Sequence, residues 1–334
     1  EEAREPEAAG FIEAFVAGTD AAGKFAPGPA VYAREEVAFM PGVRRSDARI
    51  SIGGGVCLGA RLFLRAADDG SPPTRRPLLL YFHGNAETVD SYLDPEVFRP
   101  LAEAQVNALI VDFRGYGFST GGVEPALSCV HTDAVRLVDS LPRFFRGRGL
   151  PWPWPGRLAL LGRSLGGRAA CHLAAIRGSV FDGGVILDSA ACGSFAPGAA
   201  PPPEPPQDGS SSAMGGGQSK FSSEELSVAA TQCARLCCGL VGRVLDCSAE
   251  GAAHFVHMAG NEDLLRGFDG ELLILHGELD TLIPVGHARR LCDAADAATR
   301  RLVLLPKGHN DLSLSDKYIQ ACRTFFRVAP QGRN

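Results

Sequence analysis

The chain has 334 residues, 45% of them hydrophobic, which is enough for one large domain with a substantial core. The 38 acidic residues exceed the 33 basic ones, and this mild acidity argues against a nucleic-acid-binding protein, which usually carries a basic patch. No apolar run reaches the roughly 18 residues that a membrane-spanning helix needs, so we expect no integral membrane segment.

The ten cysteines form no C-x-x-C pairs, which favours reduced thiols over a disulfide framework in a chain of this length. Cys233, Cys237 and Cys238 form a cluster that could carry a lipid or a metal, but no histidine lies at ligand spacing beside it. We expect neither a metal nor an organic cofactor. The sequence does not determine the compartment, and the cytoplasm is the favoured location. The first residue is Glu1 rather than methionine, which leaves open the removal of a leader.

Short apolar runs recur along the chain, separated by segments long enough for helices. Near-continuous rather than alternating runs are typical of strands buried on both faces of a sheet. Strands that alternate with helices indicate an α/β fold with a parallel sheet covered on both sides. The six predicted strands are 78–82, 107–112, 157–162, 183–188, 271–276 and 301–305.

Helical patterns fill the segments between these strands. One apolar stripe runs along 123–141 at helical spacing, Pro284 marks the start of another helix, and a last helix follows Ser313. Upstream of the first parallel strand, 37–40 and 60–65 predict two antiparallel edge strands.

A long insert separates the fourth and fifth predicted strands. Its part 196–220 is rich in Pro, Gly and Ser, which predicts a disordered loop, whereas 221–262 has a helical pattern. Such an insert can cover the carboxyl edge of the sheet as a cap; an expanded loop with no part in a site is the alternative. The predicted division is an N-terminal extension (1–35), a core in two parts (36–189 and 263–330) and the insert (190–262).

The stretch Gly162-Arg163-Ser164-Leu165-Gly166 fits the pattern G-x-S-x-G at a predicted turn from strand to helix. A strained backbone projects the serine hydroxyl there, and the flanking glycines leave room for the crossing strand and helix. The helix that follows begins at about Leu165, and its N-terminal amides favour a developing negative charge. We therefore predict that Ser164 is a nucleophile; a tight structural turn is the alternative.

A serine nucleophile needs a base that a carboxylate orients. Asp280 comes four residues after the fifth predicted strand, and His309 follows the sixth, each beyond a turn glycine. Ser164, Asp280 and His309 thus follow the carboxyl ends of three strands, the edge at which open parallel sheets bind ligands. Their order in the chain is that of the serine hydrolases built on such a sheet. Asp188, which ends the fourth strand, is an alternative acid.

The oxyanion of an acyl-transfer reaction needs two backbone amides. We predict that Leu165, the residue after the nucleophile, supplies one. The second is expected from the Gly-bearing loop after strand 78–82, where Asn85 is the best donor and Ala86 the next. Other polar residues near this edge are interpreted as structural or exposed; they include His83, Asp112, Arg114, His276, Glu278 and Asp311.

Five stretches carry a family resemblance: YFHGNAET, VDFRGYGFSTG, LLGRSLGG, LILHGELDTLIP and KGHNDL, spread over about 78–328. With them the chain resembles the alpha/beta-hydrolase superfamily, and most closely a branch of small serine hydrolases that includes protein depalmitoylases. The resemblance implies a mostly parallel eight-stranded sheet with antiparallel first strands, and a triad of Ser164, Asp280 and His309. The stretch 196–220 is not a feature of that family, and the chain shows no cysteine-rich lipidated N-terminus.

These observations predict a serine hydrolase that cleaves an ester or thioester, in a small-molecule or an acyl-protein substrate, through an acyl-enzyme. Two alternatives stay open. One is an aminopeptidase-like amide hydrolase of the same fold, for which Glu250 and Glu262 are candidate anchors of a substrate amine. The other is a non-catalytic ligand-binding protein. The sequence does not indicate an oligomeric state.

Overall fold

The computed structural model describes residues 37–66, 70–85, 87–119, 127–192, 260–297 and 299–327. None of the helices in these ranges is both long and apolar enough to cross a lipid bilayer. The predicted extension 1–35 and the part of the insert from 193 to 259, which includes 196–220 and the cysteine cluster, lie outside the described residues.

One nine-stranded sheet runs through the described residues, in the order β1-β2-β3-β5-β4-β6-β7-β8-β9. The strands are β1 (Val37–Met40), β2 (Val43–Gly53), β3 (Val56–Arg65), β4 (Leu78–Phe82), β5 (Asn107–Val111), β6 (Leu158–Arg163), β7 (Val185–Asp188), β8 (Glu271–Gly277) and β9 (Thr299–Leu305). The first three pair antiparallel, and β3 pairs antiparallel with β5. From β4 to β9 all pairings are parallel.

The six predicted parallel strands are confirmed to within two residues at each end. The expected number of eight strands is wrong, because the described residues hold a ninth, β2. This strand carries several charged residues, so a search for apolar runs does not detect it. Asp47 on β2 faces Arg61 on β3 in the register of the hairpin, and their side chains form a buried ion pair at 2.5 Å.

Six α-helices lie within the described residues, on both faces of the sheet. They are α1 (Pro95–Glu103), α2 (Leu127–Arg146), α3 (Gly166–Arg177), α4 (Asn261–Leu265), α5 (Gly286–Ala294) and α6 (Asp316–Arg327). Buried residues of α2, α3, α4 and α5 join one apolar core, and those of α1 and α6 join the core on the opposite face. Alternate residues of β4 enter the two cores, with Leu78 and Leu80 on one side and Leu79 on the other.

Four predicted helices are present, with shifted starts, as α2, α3, α5 and α6, whereas most of the helical pattern at 221–262 lies outside the described residues. Residues 120–126 are outside the described ranges, and α2 extends to Arg146, beyond the predicted end at 141. Helix α5 begins two residues after Pro284. A short 3-10 turn, Leu312–Leu314, precedes α6.

The six described cysteines are free thiols. Burial raises the pKa of Cys171 to about 12 and the pKa of Cys192 to about 11. Both thiols are therefore neutral near pH 7 and weak nucleophiles.

Candidate active site

Ser164 lies in the sharp turn between β6 and α3, at the carboxyl edge of the sheet. Its φ is +50°, a left-handed conformation that non-glycine residues rarely adopt. Two hydrogen bonds hold the turn: the Ser164 amide donates to the Asp188 carbonyl at 2.8 Å, and the Gly167 amide donates to the Ser164 carbonyl at 3.0 Å. The serine backbone is thus fixed both to the neighbouring strand β7 and to the first turn of α3.

The glycines on either side of the turn are required by close backbone approach. A Cβ at Gly162 would lie 2.4 Å from the Gly166 carbonyl oxygen. A Cβ at Gly166 would lie 2.0 Å from the Phe82 carbonyl oxygen at the end of β4. Both distances are far inside van der Waals contact, so any larger residue would push helix α3 away from the sheet.

His309 and Asp280 reach the serine from the loops that follow β9 and β8. His309 Nε2 lies 3.1 Å from Ser164 Oγ, and His309 Nδ1 lies 2.7 Å from Asp280 Oδ2. The imidazole is 8% exposed and the Asp280 carboxylate fully buried. The three side chains therefore form one continuous hydrogen-bonded line, although they come from positions up to 145 residues apart in the chain.

The second oxygen of Asp280 is held by the backbone. Asp280 Oδ1 accepts from the amides of Leu282 at 2.9 Å and Ile283 at 2.8 Å, which leaves Oδ2 to face the imidazole. Because a carboxylate only accepts hydrogen bonds, His309 Nδ1 must carry the proton and Nε2 must be the basic nitrogen. This tautomer is the one that can accept a proton from the Ser164 hydroxyl.

Asn85 and Leu165 lie at the same edge, in the turn after β4 and at the N-cap of α3. Within the described part of the chain, neither backbone amide has a hydrogen-bond acceptor. The Asn85 side chain is engaged, since Asn85 Oδ1 accepts from the Tyr116 hydroxyl at 2.6 Å. Ala86, the other candidate donor, is outside the described residues.

Asp188, the alternative acid, makes other contacts. It is buried, its Oδ2 accepts from the Tyr318 hydroxyl at 2.9 Å, and its Oδ1 accepts from the Ser189 hydroxyl at 3.0 Å. Asp280, and not Asp188, is therefore the carboxylate beside His309.

Several residues interpreted as structural hold loops near this edge. Asp112 accepts from the amides of Val89 and Phe118, each at 2.8 Å, and Arg114 pairs with Asp133. In the His309 loop, Asp311 Oδ1 accepts from the Gly308 amide at 2.7 Å.

The two turn histidines are buried. His83 Nδ1 contacts the Gly84 carbonyl at 2.7 Å, and His276 Nε2 contacts the Ile283 carbonyl at 2.7 Å. Burial lowers the pKa of His276, which favours its neutral form near pH 7. Its Nε2 also lies 3.5 Å from Asp280 Oδ2, farther than His309 Nδ1 at 2.7 Å.

Arg163 and Glu87 are two further residues of this site that the sequence analysis missed. Arg163 Nη1 forms an ion pair with Glu87 Oε1, and Arg163 Nη2 donates to the His309 carbonyl at 3.1 Å. The Arg163 guanidinium holds the pKa of Glu87 below its usual range, against the opposing effect of burial. The available signal was position alone: Arg163 is the residue before the serine, and Glu87 follows the HGN stretch.

A family model described as serine aminopeptidase, S33, matches residues 73–205. The match spans less than half of the chain; it contains Ser164 but neither Asp280 nor His309.

Solved structures match over most of the chain. An esterase from Pyrococcus furiosus has a TM-score of 0.54 at 14% identity and covers 88% of this chain and 97% of its own. Est1E from Butyrivibrio proteoclasticus with ferulic acid bound has a TM-score of 0.53 at 19% identity, over 84% and 96%. The 2-hydroxy-6-oxo-6-phenylhexa-2,4-dienoate hydrolase from Rhodococcus has a TM-score of 0.53 at 17% identity, over 86% and 100%. With the sheet order and the helices on both faces, these matches show that the chain has the alpha/beta-hydrolase fold.

Proposed function

We propose that the chain is a serine hydrolase that cleaves a carboxylic ester or thioester through an acyl-enzyme. The observation that carries the proposal is the line of hydrogen bonds from Asp280 through His309 to Ser164, at 2.7 and 3.1 Å. A buried carboxylate, an imidazole of fixed tautomer and a projecting hydroxyl are the parts that make a serine nucleophilic.

Acylation begins with attack of Ser164 Oγ on the acyl carbonyl carbon. His309 Nε2 takes the hydroxyl proton as the Oγ–C bond forms, and the Asp280 carboxylate stabilises the resulting imidazolium. When the tetrahedral intermediate collapses, the bond to the leaving oxygen or sulfur breaks and His309 Nε2 returns the proton to that atom. The alcohol or thiol leaves, and the acyl group stays on Ser164.

Deacylation repeats these steps with water. His309 Nε2 removes a proton from the attacking water, the oxygen adds to the acyl carbon, and the proton passes to Ser164 Oγ as the acyl bond breaks. In both halves of the reaction the carbonyl oxygen gains negative charge. The amides of Asn85 and Leu165, which have no other acceptor among the described residues, supply the hydrogen bonds for it, and the N-terminus of α3 adds its dipole.

The first experiment is labelling with a fluorophosphonate, which reacts with activated serines. We expect one label on Ser164, lost in Ser164→Ala. Ser189→Ala is the matched control, because Ser189 also has a positive φ and follows the neighbouring strand, but its hydroxyl donates to Asp188. A wild-type protein that stays unlabelled would favour a non-catalytic binding protein and overturn the proposal.

A second candidate is an amide hydrolase, because the matched family model is described as a serine aminopeptidase. Such an enzyme needs an acidic anchor for the substrate amine. Glu262 already pairs with Arg290 at 3.1 Å, which offsets its charge, and Glu250 lies outside the described residues. The pairing of Glu262 is one reason to place ester or thioester cleavage first.

Turnover of model substrates separates the two candidates. We expect p-nitrophenyl acyl esters, tested over a series of chain lengths, to be hydrolysed faster than aminoacyl anilides. An anilide that is turned over faster than every ester would establish the amide hydrolase instead.

A further inference from the structure

The Arg163 side chain, next to Ser164 in sequence, connects two loops of the candidate site to the end of strand β6. Its backbone ends strand β6, so its Cα is fixed by the sheet. Its guanidinium lies between the turn that follows β4 and the loop that carries His309. The side chain is 13% exposed.

Toward the His309 loop, Arg163 acts through one nitrogen. Nη2 donates to the His309 carbonyl oxygen at 3.1 Å and to Asn310 Oδ1 at 3.0 Å. This hydrogen bond to the His309 carbonyl restrains the backbone from which the His309 imidazole projects. The loop is thereby fixed to the same strand end that carries Ser164.

Toward the turn after β4, Arg163 acts through Glu87. Nη1 pairs with Glu87 Oε1, and Glu87 Oε2 accepts from the Gly84 amide at 2.8 Å and the Tyr92 hydroxyl at 3.0 Å. The packing is close, since a Cβ at Gly84 would lie 2.8 Å from Arg163 Nη1. Gly84 directly precedes Asn85, so this ion pair also fixes the turn that presents the Asn85 amide.

We propose that Arg163 is a positioning residue that holds the His309 imidazole on Ser164 and, through Glu87, the Asn85 amide at the oxyanion. This inference rests on the proposed function. A partly buried ion pair contributes little net stability, because desolvation offsets much of its attraction. We therefore attribute the pair of Arg163 and Glu87 to the positioning of the two loops rather than to stability. A planar guanidinium places donors on separate nitrogens at fixed angles, so it can reach acceptors on two sides, whereas the three N–H donors of a lysine ammonium diverge from one atom.

The test is Arg163→Lys, which keeps the charge and removes the planar fork. We expect kcat for a p-nitrophenyl ester to fall about 10- to 100-fold, since a displacement near 1 Å at the reacting atoms has effects of that size. The rate of fluorophosphonate labelling should fall in parallel, whereas KM should change less than about threefold.

Arg157→Lys is the matched control. Arg157 directly precedes the other end of β6, and its ion pair with Glu271 has side-chain exposures of 13% and 21%, against 13% and 23% for Arg163 and Glu87. A purely structural role would give the two variants equal losses of melting temperature and no selective loss of kcat. The inference is wrong if the wild type is labelled by the fluorophosphonate and Arg163→Lys is labelled as fast as Arg157→Lys. If the wild type itself is not labelled, the proposed function is refuted instead.

Asn310→Ala keeps the test decisive should Arg163→Lys fail to fold. Asn310 is exposed and accepts from Arg163 Nη2, so its removal loosens the His309 loop and leaves the ion pair with Glu87 intact. We expect a smaller fall in kcat, of about 3- to 10-fold, at unchanged KM and melting temperature. If Arg163→Lys does not fold and Asn310→Ala keeps the kcat of the wild type, the inference is overturned.

Discussion

Asp280→Asn tests the direction of the hydrogen bonds in the proposed triad with almost no change of shape. Asp280 Oδ1 accepts two backbone hydrogen bonds, from Leu282 and Ile283. In the variant the amide oxygen must take this position, because only an oxygen can accept them. The new NH2 group then faces His309 Nδ1 and donates to it, so Nδ1 loses its proton and Nε2 carries one. The imidazole would no longer accept the proton of Ser164.

The magnitude follows from the alternative orientation of the amide. Turning the NH2 group toward the backbone would leave the buried Ile283 amide and the partly buried Leu282 amide without an acceptor, at about 1–3 kcal/mol for the buried group. The unproductive orientation is therefore dominant. A triad held in the wrong tautomer loses about ten-thousandfold in kcat, which corresponds to about 5.5 kcal/mol of transition-state stabilisation at about 1.4 kcal/mol per factor of ten.

The assay is the steady-state hydrolysis of a p-nitrophenyl ester, with thermal unfolding measured on the same samples. Asp311→Asn is the control from the His309 loop, because an asparagine oxygen can still accept from the Gly308 amide that Asp311 binds. For this conservative change we expect kcat to fall by less than about fivefold. The reasoning is refuted if Asp280→Asn keeps more than about a tenth of wild-type kcat, or if Asp188→Asn, with its fold intact, shows the ten-thousandfold loss instead.

Two further predictions concern the scaffold of the site. Gly166→Ala should destabilise the protein by at least about 2 kcal/mol or prevent folding, because the new Cβ would lie 2.0 Å from the Phe82 carbonyl oxygen. Urea unfolding measures this loss, and Gly286→Ala is the control, because no atom lies within 4 Å of a Cβ at that position. The pKa of Glu87 is lowered in the folded state, so the stability it contributes is present above its unfolded pKa and is lost as pH falls through the lower folded value. The difference in unfolding free energy between wild type and Glu87→Gln should therefore be constant near pH 6–8 and shrink below about pH 4; a difference that grows toward acid would contradict the assignment.

The elements that carry the candidate triad could be predicted because each has a strong local signal. Apolar runs mark β6, β8 and β9, and a glycine lies near the end of each strand or in the turn after it. Gly162 and Gly277 are sites of close backbone approach, whereas a Cβ at Gly308 would meet its nearest atom, Asp311 Oδ1, at an ordinary 3.4 Å. At Gly277, a Cβ would lie 2.2 Å from the Lys307 carbonyl oxygen. The parallel direction of the strands then brings Ser164, Asp280 and His309 to one edge, whatever their separation in the chain.

The features that were missed depend on pairing between distant residues. Strand β2 has no apolar run, and the charge of its buried Asp47 is compensated by Arg61 on the opposite strand at 2.5 Å and by Arg45 at 3.5 Å. Arg163 and Glu87 are 76 positions apart, and each taken singly reads as an ordinary surface charge. Only the folded chain shows which charges face each other, since a sequence pattern reports burial and period but not partners.

In the proposed triad, strand pairing fixes the contact between Asp280 and His309 but not the contact between His309 and Ser164, and this difference is the reason why we expect the position of Arg163 to matter. Strands β8 and β9 are neighbours, and their loops are joined by backbone bonds from Glu278 to Leu305 at 2.7 Å and from Leu279 to Lys307 at 3.0 Å. Asp280 and His309 therefore move as one unit. Ser164 directly follows β6, and β7 and β8 separate that strand from β9, so no direct strand pairing sets the distance between Ser164 and His309. The bond from Arg163 to the His309 carbonyl spans this gap, which is why its loss should lower kcat while the Asp280–His309 pair stays intact.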